Sequence, residues 1–153
     1  MADQSHIKII AQNRKARFDY FIDDEYEAGI VLKGTEVKSL RLGKANLKDA
    51  YAKINNGEVF VHQMHISEYP FTHYGNHQTN RPRKLLLHKR EIKRLLGKTQ
   101  EKGFTLIPLN LYFKKGKVKL TLAMARGKQK YDKREAIRKR DERRDMDRDL
   151  KGS

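Results

Sequence analysis

The chain has 153 residues, enough for one domain and a modest appendage, and no cysteine, which excludes disulfide frameworks, thiolate zinc sites and cysteine nucleophiles. Thirty-five lysines and arginines against nineteen acidic residues leave a net charge of +16. This excess favours a polyanionic partner, nucleic acid before an acidic membrane surface, since solubility alone requires no more than about 8 net charges on a small domain.

Targeting signals are absent from the pattern. No apolar run approaches the roughly 20 residues that cross a bilayer, and the opening Met-Ala-Asp-Gln-Ser-His lacks the charged-then-apolar order of a signal peptide. We therefore expect a cytoplasmic protein without a membrane partner.

The first part of the chain predicts two strands and a short helix. Residues 1–12 are mixed and unpatterned and are expected to form a loose arm. Alternation over residues 18–22 and an extended run over 26–32 predict strands, and Gly29 within the second suggests a bulge or a close backbone approach. Thr35 is a candidate N-cap for a short helix that Gly43 can end.

The second part predicts two hairpins around a helix. Asn56-Gly57 supplies the positive φ angles of a tight turn, and residues 67–84 form a connection long enough to be functional or mobile. The last predicted strand alternates apolar residues with Lys119, Thr121, Ala123 and Ala125, so one face should be buried and one wet. The predicted elements are strands 51–54 and 58–66, a helix over 88–100, and strands 105–113 and 118–125.

A sharp change in composition follows Arg126. Residues 126–153 hold twelve lysines and arginines, seven acidic residues and only three large aliphatic side chains. Such a segment should be disordered when free, although i,i+4 charge pairs favour a helix once a partner is present. The sequence therefore predicts a mainly β domain over 1–125, a small closed antiparallel β-barrel of the oligonucleotide-binding type with flanking short helices, and a flexible basic tail over 126–153.

Enzymatic and metal motifs are weak. Gly97-Lys98-Thr99 resembles the end of a phosphate-binding loop, but Ile92 stands where that motif needs its first glycine. His73 and His77 lack the further ligands of a zinc site, so solvated or stacking histidines are expected. We predict no catalytic residues, metal, cofactor or small-molecule substrate.

Basic residues interleaved with small polar residues are more informative, because they suit phosphate and 2′-hydroxyl contacts. They fall into two clusters: Lys38, Arg41 and Lys44 near the first helix, and Arg81, Arg83 and Lys84 at the end of the long connection.

Several segments, taken in order, resemble the SsrA-binding protein family, whose members are also called small protein B. The similarity runs from about residue 7 to residue 140, and the ordered set is specific although no single stretch is. The matching stretches are 13–16, 19–22, 27–29, 34–41, 49–51, 83–89, 127–128 and 132–134.

This resemblance implies a protein that binds the tRNA-like domain of transfer-messenger RNA and delivers it to the vacant A site of a stalled 70S ribosome for trans-translation. The tail would lie at the small-subunit decoding centre and in the empty mRNA channel, and elongation factor Tu would accompany delivery.

The resemblance also implies site residues. Glu27 falls at an RNA-contacting carboxylate of the family, and Tyr131 stands where several relatives have histidine. The predicted RNA-binding residues are Asn13, Arg14, Lys15, Glu27, Lys38, Arg41, Lys44, Arg83, Lys84, Leu86, His88 and Lys89. The predicted decoding-centre residues are Gly127, Lys128, Tyr131, Asp132, Lys133 and Arg134.

Two other classes of protein share the basic composition. A general ribosome-associated RNA-binding protein or RNA chaperone would bind many RNAs without discrimination. A metal-independent ribonuclease would cut the RNA that it binds, although no residue spacing recommends this reading.

Overall fold

A computed structural model describes residues 6–73, 75–101, 103–128, 134 and 137–145. Seven of the nine strands within these residues form the main sheet. The remaining two strands pair as a small separate sheet. The elements are β1 (Ile7–Gln12), α1 (Ala16–Asp19), β2 (Tyr20–Ile30), α2 (Gly34–Arg41), β3 (Ala45–Asn46), β4 (Tyr51–Asn55), β5 (Glu58–His62), β6 (His65–Ile66), β7 (Arg83–Leu86), α3 (Lys89–Thr99), β8 (Phe104–Lys114) and β9 (Lys117–Gly127).

The main sheet closes on itself. Strand β8 pairs with β9 along one edge and with both β4 and β1 along the other. Since β4, β5, β7, β2 and β9 are neighbours in that order, the pairing of β9 with β8 completes a ring. Every pairing is antiparallel, and closure of the ring reduces the sheet edges on which strands of other chains can pair, with β1 at one end of the strand order. The predicted small antiparallel barrel with flanking helices is confirmed.

The interior of the barrel is aliphatic. Val59, Val61, Leu120 and Leu122 are completely buried there, and each contributes roughly 1.5–3 kcal/mol relative to an exposed position. Leu95 of α3 joins the same cluster and is also fully buried, so that helix is fixed against the barrel by its apolar side.

A second, smaller cluster lies on the other face of the β8–β9 hairpin. Ala123 and Ala125 are fully buried there against Ile107 and Leu109. The prediction that these two alanines face water was wrong, because Ala16 of α1 packs against this face. With only four residues, α1 is too short to show a helical period in the sequence.

Strand β2 is one continuous element of eleven residues, where the sequence predicted two strands. The register shifts between Ile22 and Asp24, so the acidic stretch is accommodated by a bulge within the pairing with β9. Gly29 provides the close approach that was predicted: a Cβ there would lie 3.3 Å from the Cβ of Leu86 on β7.

The sheet extends further toward both ends of the chain than the sequence predicted. Residues 7–12 form β1 and pair with β8 from Lys114 to Asn110, so this part of the expected loose arm belongs to the sheet. Strand β9 extends to Gly127, which pairs with Tyr20, so the predicted limit at residue 125 was also wrong. In both places a long neighbouring strand supplies hydrogen-bond partners that local sequence does not reveal.

The segment from residue 58 to residue 86 also differs from the prediction. The expected strand 58–66 divides into β5 and β6, with a left-handed residue, Gln63 (φ 59°), between them. Strand β7 begins at Arg83, inside the predicted connection, and pairs with both β5 and β2. Four residues in which buried and exposed positions alternate are too few to distinguish this strand from a loop in the sequence.

Residues 137–145 are helical, as is Arg134. Arg138 Nε lies 3.8 Å from Glu142 Oε1, an i,i+4 pair of the kind that the charge pattern suggested, worth about 0.3–0.5 kcal/mol on an exposed helix. The disorder expected for the free tail stays a prediction. Within the described residues, no helix is both long enough and apolar enough to span a bilayer.

Candidate nucleic-acid interface

Glu27 lies at the centre of a small polar cluster on the outside of β2. Its Oε2 atom accepts a hydrogen bond of 2.5 Å from the hydroxyl of Tyr112 on β8. Lys114, two residues further along β8, places its Nζ 3.2 Å from Oε2 and 3.3 Å from Oε1. The Tyr112 ring is almost fully buried, whereas 42% of the Glu27 side chain is exposed. A carboxylate is therefore presented to solvent by a fixed aromatic support.

The protonation states in this cluster are well defined. The hydrogen bond from Tyr112, aided by Lys114, holds the pKa of Glu27 below its ordinary value. Burial and the neighbouring carboxylate raise the pKa of Tyr112 to about 12. Glu27 is thus an ionised acceptor, and Tyr112 is a hydrogen-bond donor at neutral pH. A carboxylate has about four acceptor positions, so Oε1 retains capacity for a donor from a ligand such as a base edge.

An apolar neighbour flanks this carboxylate. Leu86, which is 52% exposed, is the register partner of Gly29, two residues beyond Glu27 on β2. Gly29 also pairs with Lys119 of β9. Because residues two apart on a strand share a face, the sheet places a carboxylate, a leucine and a lysine on one outer surface. Glu27 and Leu86, two predicted RNA-binding residues, are thereby brought together.

The predicted residues after Leu86 lie at the start of α3. His88 is exposed and precedes the helix, and its backbone N–H donates to Glu91 Oε1 at 3.0 Å. Lys89 is exposed in the first turn. Lys84 is partly buried and lies 3.5 Å from Glu58. The side chains of His88 and Lys89 are therefore accessible to a ligand.

Lys38, Arg41 and Lys44 form the predicted basic cluster on α2 and the turn after it. All three are exposed. Lys38 and Arg41, three residues apart, share one face of the helix. This arrangement suits phosphate contacts.

Arg83 was predicted to contact RNA, and that prediction is wrong. Its side chain is completely buried and forms an ion pair with Glu36, which is equally buried. Its guanidinium also donates to the carbonyl oxygens of Met64 at 2.5 Å and Thr79 at 3.0 Å. An arginine in an otherwise basic sequence segment gives no local sign that a buried carboxylate faces it.

Glu36 binds a second arginine as well. Arg81 lies 2.6 Å from Oε1, and the backbone N–H of Lys33 donates to the same atom at 2.7 Å. Burial opposes ionisation, but Arg81, Lys33 and Arg83 together hold the pKa of Glu36 below its ordinary value. Arg81 is thus held by Glu36 rather than directed at a phosphate, although part of its side chain reaches the surface.

Two further predictions near Glu36 were wrong. The helix α2 begins at Gly34, and Thr35 does not cap it. Instead the hydroxyl of Thr35 lies 2.9 Å from His77 Nδ1, and His77 Nε2 donates to the carbonyl of Ile66 at 2.9 Å. His77, expected to be solvated or stacking, is therefore a buried structural side chain.

The three predicted residues 13–15 lie immediately before α1. Asn13 bridges to β8, because its side chain donates to Pro108 O at 3.3 Å and its backbone N–H to Leu109 O at 2.8 Å. Arg14 and Lys15 are exposed and line a depression of about 560 Å³ that extends to β4. Asn13 is structural, and the two cations remain available to a ligand.

The base of the tail carries a feature that the sequence analysis missed. The Arg126 guanidinium lies 5.5 Å from the ring centre of Phe21 and 5.9 Å from that of Phe104, and Lys128 Nζ lies 5.1 Å from Phe21. The backbone N–H of Lys128 also donates to Asp19 O at 2.8 Å. The exposed aromatic position at Phe21, within a strand, was the available signal.

The remaining predicted tail residues divide into two groups. Gly127 lies in β9 and Arg134 in a helical, exposed position. Tyr131, Asp132 and Lys133 lie outside the described residues. Among the side chains that the structure does describe, no three histidine, cysteine or acidic residues converge as a metal site would require.

Comparisons with known proteins agree with this arrangement. A family model described as SmpB protein matches residues 10–152. The SsrA-binding protein of Syntrophobacter fumaroxidans is 61% identical over 92% of this chain and 88% of its own length. That of Acidothermus cellulolyticus is 59% identical over 98% and 94%.

A solved structure gives the same result in three dimensions. It is described as "tmRNA-SmpB: a journey to the center of the bacterial ribosome" and superposes with a TM-score of 0.67 at 49% identity, covering 83% of this chain and 93% of the other. Sequence and structure therefore agree that the chain belongs to the SmpB family.

Proposed function

We infer that this protein binds transfer-messenger RNA and acts with it in trans-translation on stalled ribosomes. The observation that carries this proposal is the half-exposed, ionised Glu27 held by Tyr112 on a strongly basic molecule. A carboxylate repels phosphates, so at an RNA interface it is useful where it accepts hydrogen bonds from base edges such as those of guanine. Membership of the SmpB family and the similarity to a tmRNA–SmpB structure support the same ligand.

Exposed cations and an apolar side chain surround this carboxylate in the proposed interface. Lys38, Arg41 and Lys44 would contact phosphates, while Leu86 and His88 would pack beside the RNA near Glu27. Phosphate contacts supply affinity and base contacts supply selectivity.

The tail would act on the ribosome rather than on the tRNA-like domain. Its twelve cations and the helical residues 137–145 fit a segment that binds within a channel lined by RNA. We propose that residues 131–134 reach the decoding centre of the small subunit and that the following residues lie in the mRNA channel. Elongation factor Tu would accompany delivery of the complex, in the cytoplasm where ribosomes act, and the protein itself would be a binding protein rather than an enzyme.

A binding titration over a salt series tests this function. Residues 1–125 alone carry 23 lysines and arginines and 12 acidic residues, so affinity should fall steeply with salt, by about 0.7–0.9 in log–log slope for each phosphate contacted. The tRNA-like domain of transfer-messenger RNA should bind more tightly than a generic hairpin of equal length at moderate salt. Equal affinity for both would instead favour a general RNA chaperone, and cleavage of the RNA would indicate a nuclease.

A further inference from the structure

Lys38 of α2 and two aromatic side chains beside that helix form a surface of which the proposed interface includes only the lysine. Tyr69 and Phe71, in the loop after β6, have ring centres 5.5 Å apart at an interplanar angle of 74°. Lys38 Nζ lies 5.6 Å from the centre of the Tyr69 ring. Phe71 is 70% exposed, more than any other exposed large apolar side chain among the described residues. We call Lys38, Tyr69 and Phe71 the aromatic platform.

The platform is held in place by the loop that carries it. Asn76 exchanges two hydrogen bonds with the backbone of Tyr69, donating to its carbonyl at 2.8 Å and accepting from its N–H at 3.0 Å. The next residue, His77, is buried between Thr35 and Ile66. The loop is thus fastened at Tyr69 and at α2, which lowers the entropy lost when a ligand binds.

We propose that the aromatic platform stacks an unpaired base of the bound RNA. Every nucleobase has a π-face, so an exposed ring can stack on a base without reading its identity. Lys38 and Arg41 on the same helix face, with Lys44 beyond, supply cations for the flanking phosphates. This inference rests on the proposed function, because it takes RNA as the ligand, but it assigns a second contact separate from Glu27.

The charge around the platform distinguishes RNA from an apolar protein partner. Lys38, Arg41 and Lys44 are exposed, and Lys38 Nζ lies over the Tyr69 ring, 5.6 Å from its centre. A docking surface for an apolar peptide would be centred on aliphatic side chains and depleted of charge. RNA fits both features, because its phosphates can pair with the basic side chains and its bases can stack on the aromatic rings.

A single tryptophan provides a direct test, since the chain has none. In Phe71→Trp, stacking of a base on the new indole should quench its fluorescence when either the tRNA-like domain of transfer-messenger RNA or a single-stranded octaribonucleotide is added. Leu96→Trp, at an exposed position of α3, is the matched control and should keep most of its emission. Emission of Phe71→Trp that is unchanged at saturating RNA would overturn the proposal.

Affinity measurements separate stacking from other roles. Phe71→Ala and Phe71→Leu should both weaken binding of the tRNA-like domain by about 5-fold to 100-fold, because neither retains a π-face. Their salt slopes should match that of the wild type, whereas Lys38→Gln should lower the slope by about 0.7–0.9. Equal melting temperatures would exclude misfolding, as expected for so exposed a side chain.

The outcomes distinguish this proposal from the proposed function. If the wild type prefers the tRNA-like domain to a generic hairpin and Phe71→Ala binds that domain with the affinity of the wild type, the platform does not stack on RNA. The proposed binding of transfer-messenger RNA then stands. If the wild type shows no such preference, the broader function fails, while quenching by the octaribonucleotide would still support the platform. Normal affinity of Phe71→Leu for the tRNA-like domain combined with loss of trans-translation would show that the platform acts on the ribosome rather than on the bound RNA, which also overturns the proposal.

Discussion

Replacement of Glu27 by glutamine tests the centre of the interface most directly. Glutamine keeps the shape of the side chain and can still accept the hydrogen bond from Tyr112, but it removes the charge and turns one acceptor into a donor. If Oε1 of Glu27 accepts hydrogen bonds from a guanine edge, the glutamine amide would place its own N–H donors against the N–H donors of the guanine. We expect the affinity for the tRNA-like domain to fall by about 1–3 kcal/mol, which is roughly 5-fold to 150-fold.

The same substitution should change folding very little. Lys114 lies 3.2 Å from Glu27, but their side chains are 30% and 42% exposed, so solvent screens the pair and it contributes at most about 1 kcal/mol. Tyr112 keeps an acceptor in the variant. The free energy of unfolding in urea should therefore change by less than about 1 kcal/mol, which is below the range expected for binding.

Removal of the Tyr112 hydroxyl should also weaken RNA binding, and its effect should not be additive with that of Glu27→Gln. Tyr112→Phe retains the buried ring but releases Oε2 of Glu27 from its 2.5 Å hydrogen bond. We expect weaker RNA binding, with a coupling energy of at least about 0.5 kcal/mol between this change and Glu27→Gln in a double-mutant cycle. Strictly additive effects would show that Tyr112 does not position the carboxylate.

Fluorescence anisotropy with labelled tRNA-like domain at fixed moderate salt measures these affinities. Glu25→Gln is the matched control, because Glu25 lies on the same strand two residues earlier, is exposed, and forms an exposed ion pair with Arg17. Equal affinities of Glu25→Gln and Glu27→Gln would refute base recognition by Glu27. Early melting of Glu27→Gln with normal binding by the folded fraction would make Glu27 a structural residue.

Three other predictions concern the buried ion pair and the tail. Arg83→Met should lower the free energy of unfolding by about 3–5 kcal/mol in urea titrations, because it removes the buried one of the two arginines that pair with buried Glu36, whereas Lys84→Met should cost less than about 1 kcal/mol. The pKa of Glu36 is depressed in the folded state, so its contribution to stability is present above its unfolded pKa of about 4.3 and is lost as the pH falls through the folded value. The free energy of unfolding should therefore decline below about pH 5. If Glu36→Gln shows the same decline as the wild type, groups other than Glu36 cause it. Truncation after Lys128, which keeps the contact with Asp19, should preserve the fold and the RNA affinity. Trans-translation, measured in a reconstituted assay as addition of the degradation tag to stalled chains, should fall to background. Normal tag addition would refute the proposed role of the tail.

Local sequence was sufficient to predict an element of secondary structure where a pattern of residues repeats along it. The alternation in β9 and the three-to-four spacing of apolar residues in α3 predicted both elements, since burial on one side of a long element leaves a period in the sequence. The Asn56-Gly57 turn was predicted for a similar reason, because its positive φ angles restrict which residues fit. The net charge of +16 likewise predicted nucleic acid as the class of partner, since composition alone determines it.

Only the tertiary structure decided which basic and polar side chains are available to a partner. Arg83 and Lys84 are adjacent in the sequence, yet one is buried against Glu36 and the other reaches the surface, because successive residues of β7 face opposite sides. The support of Glu27 by Tyr112 joins strands β2 and β8, 85 residues apart in the chain. Such pairings depend on closure of the barrel and leave no local period, so the sequence determined the charge and most of the elements, while the fold determined which side chains meet.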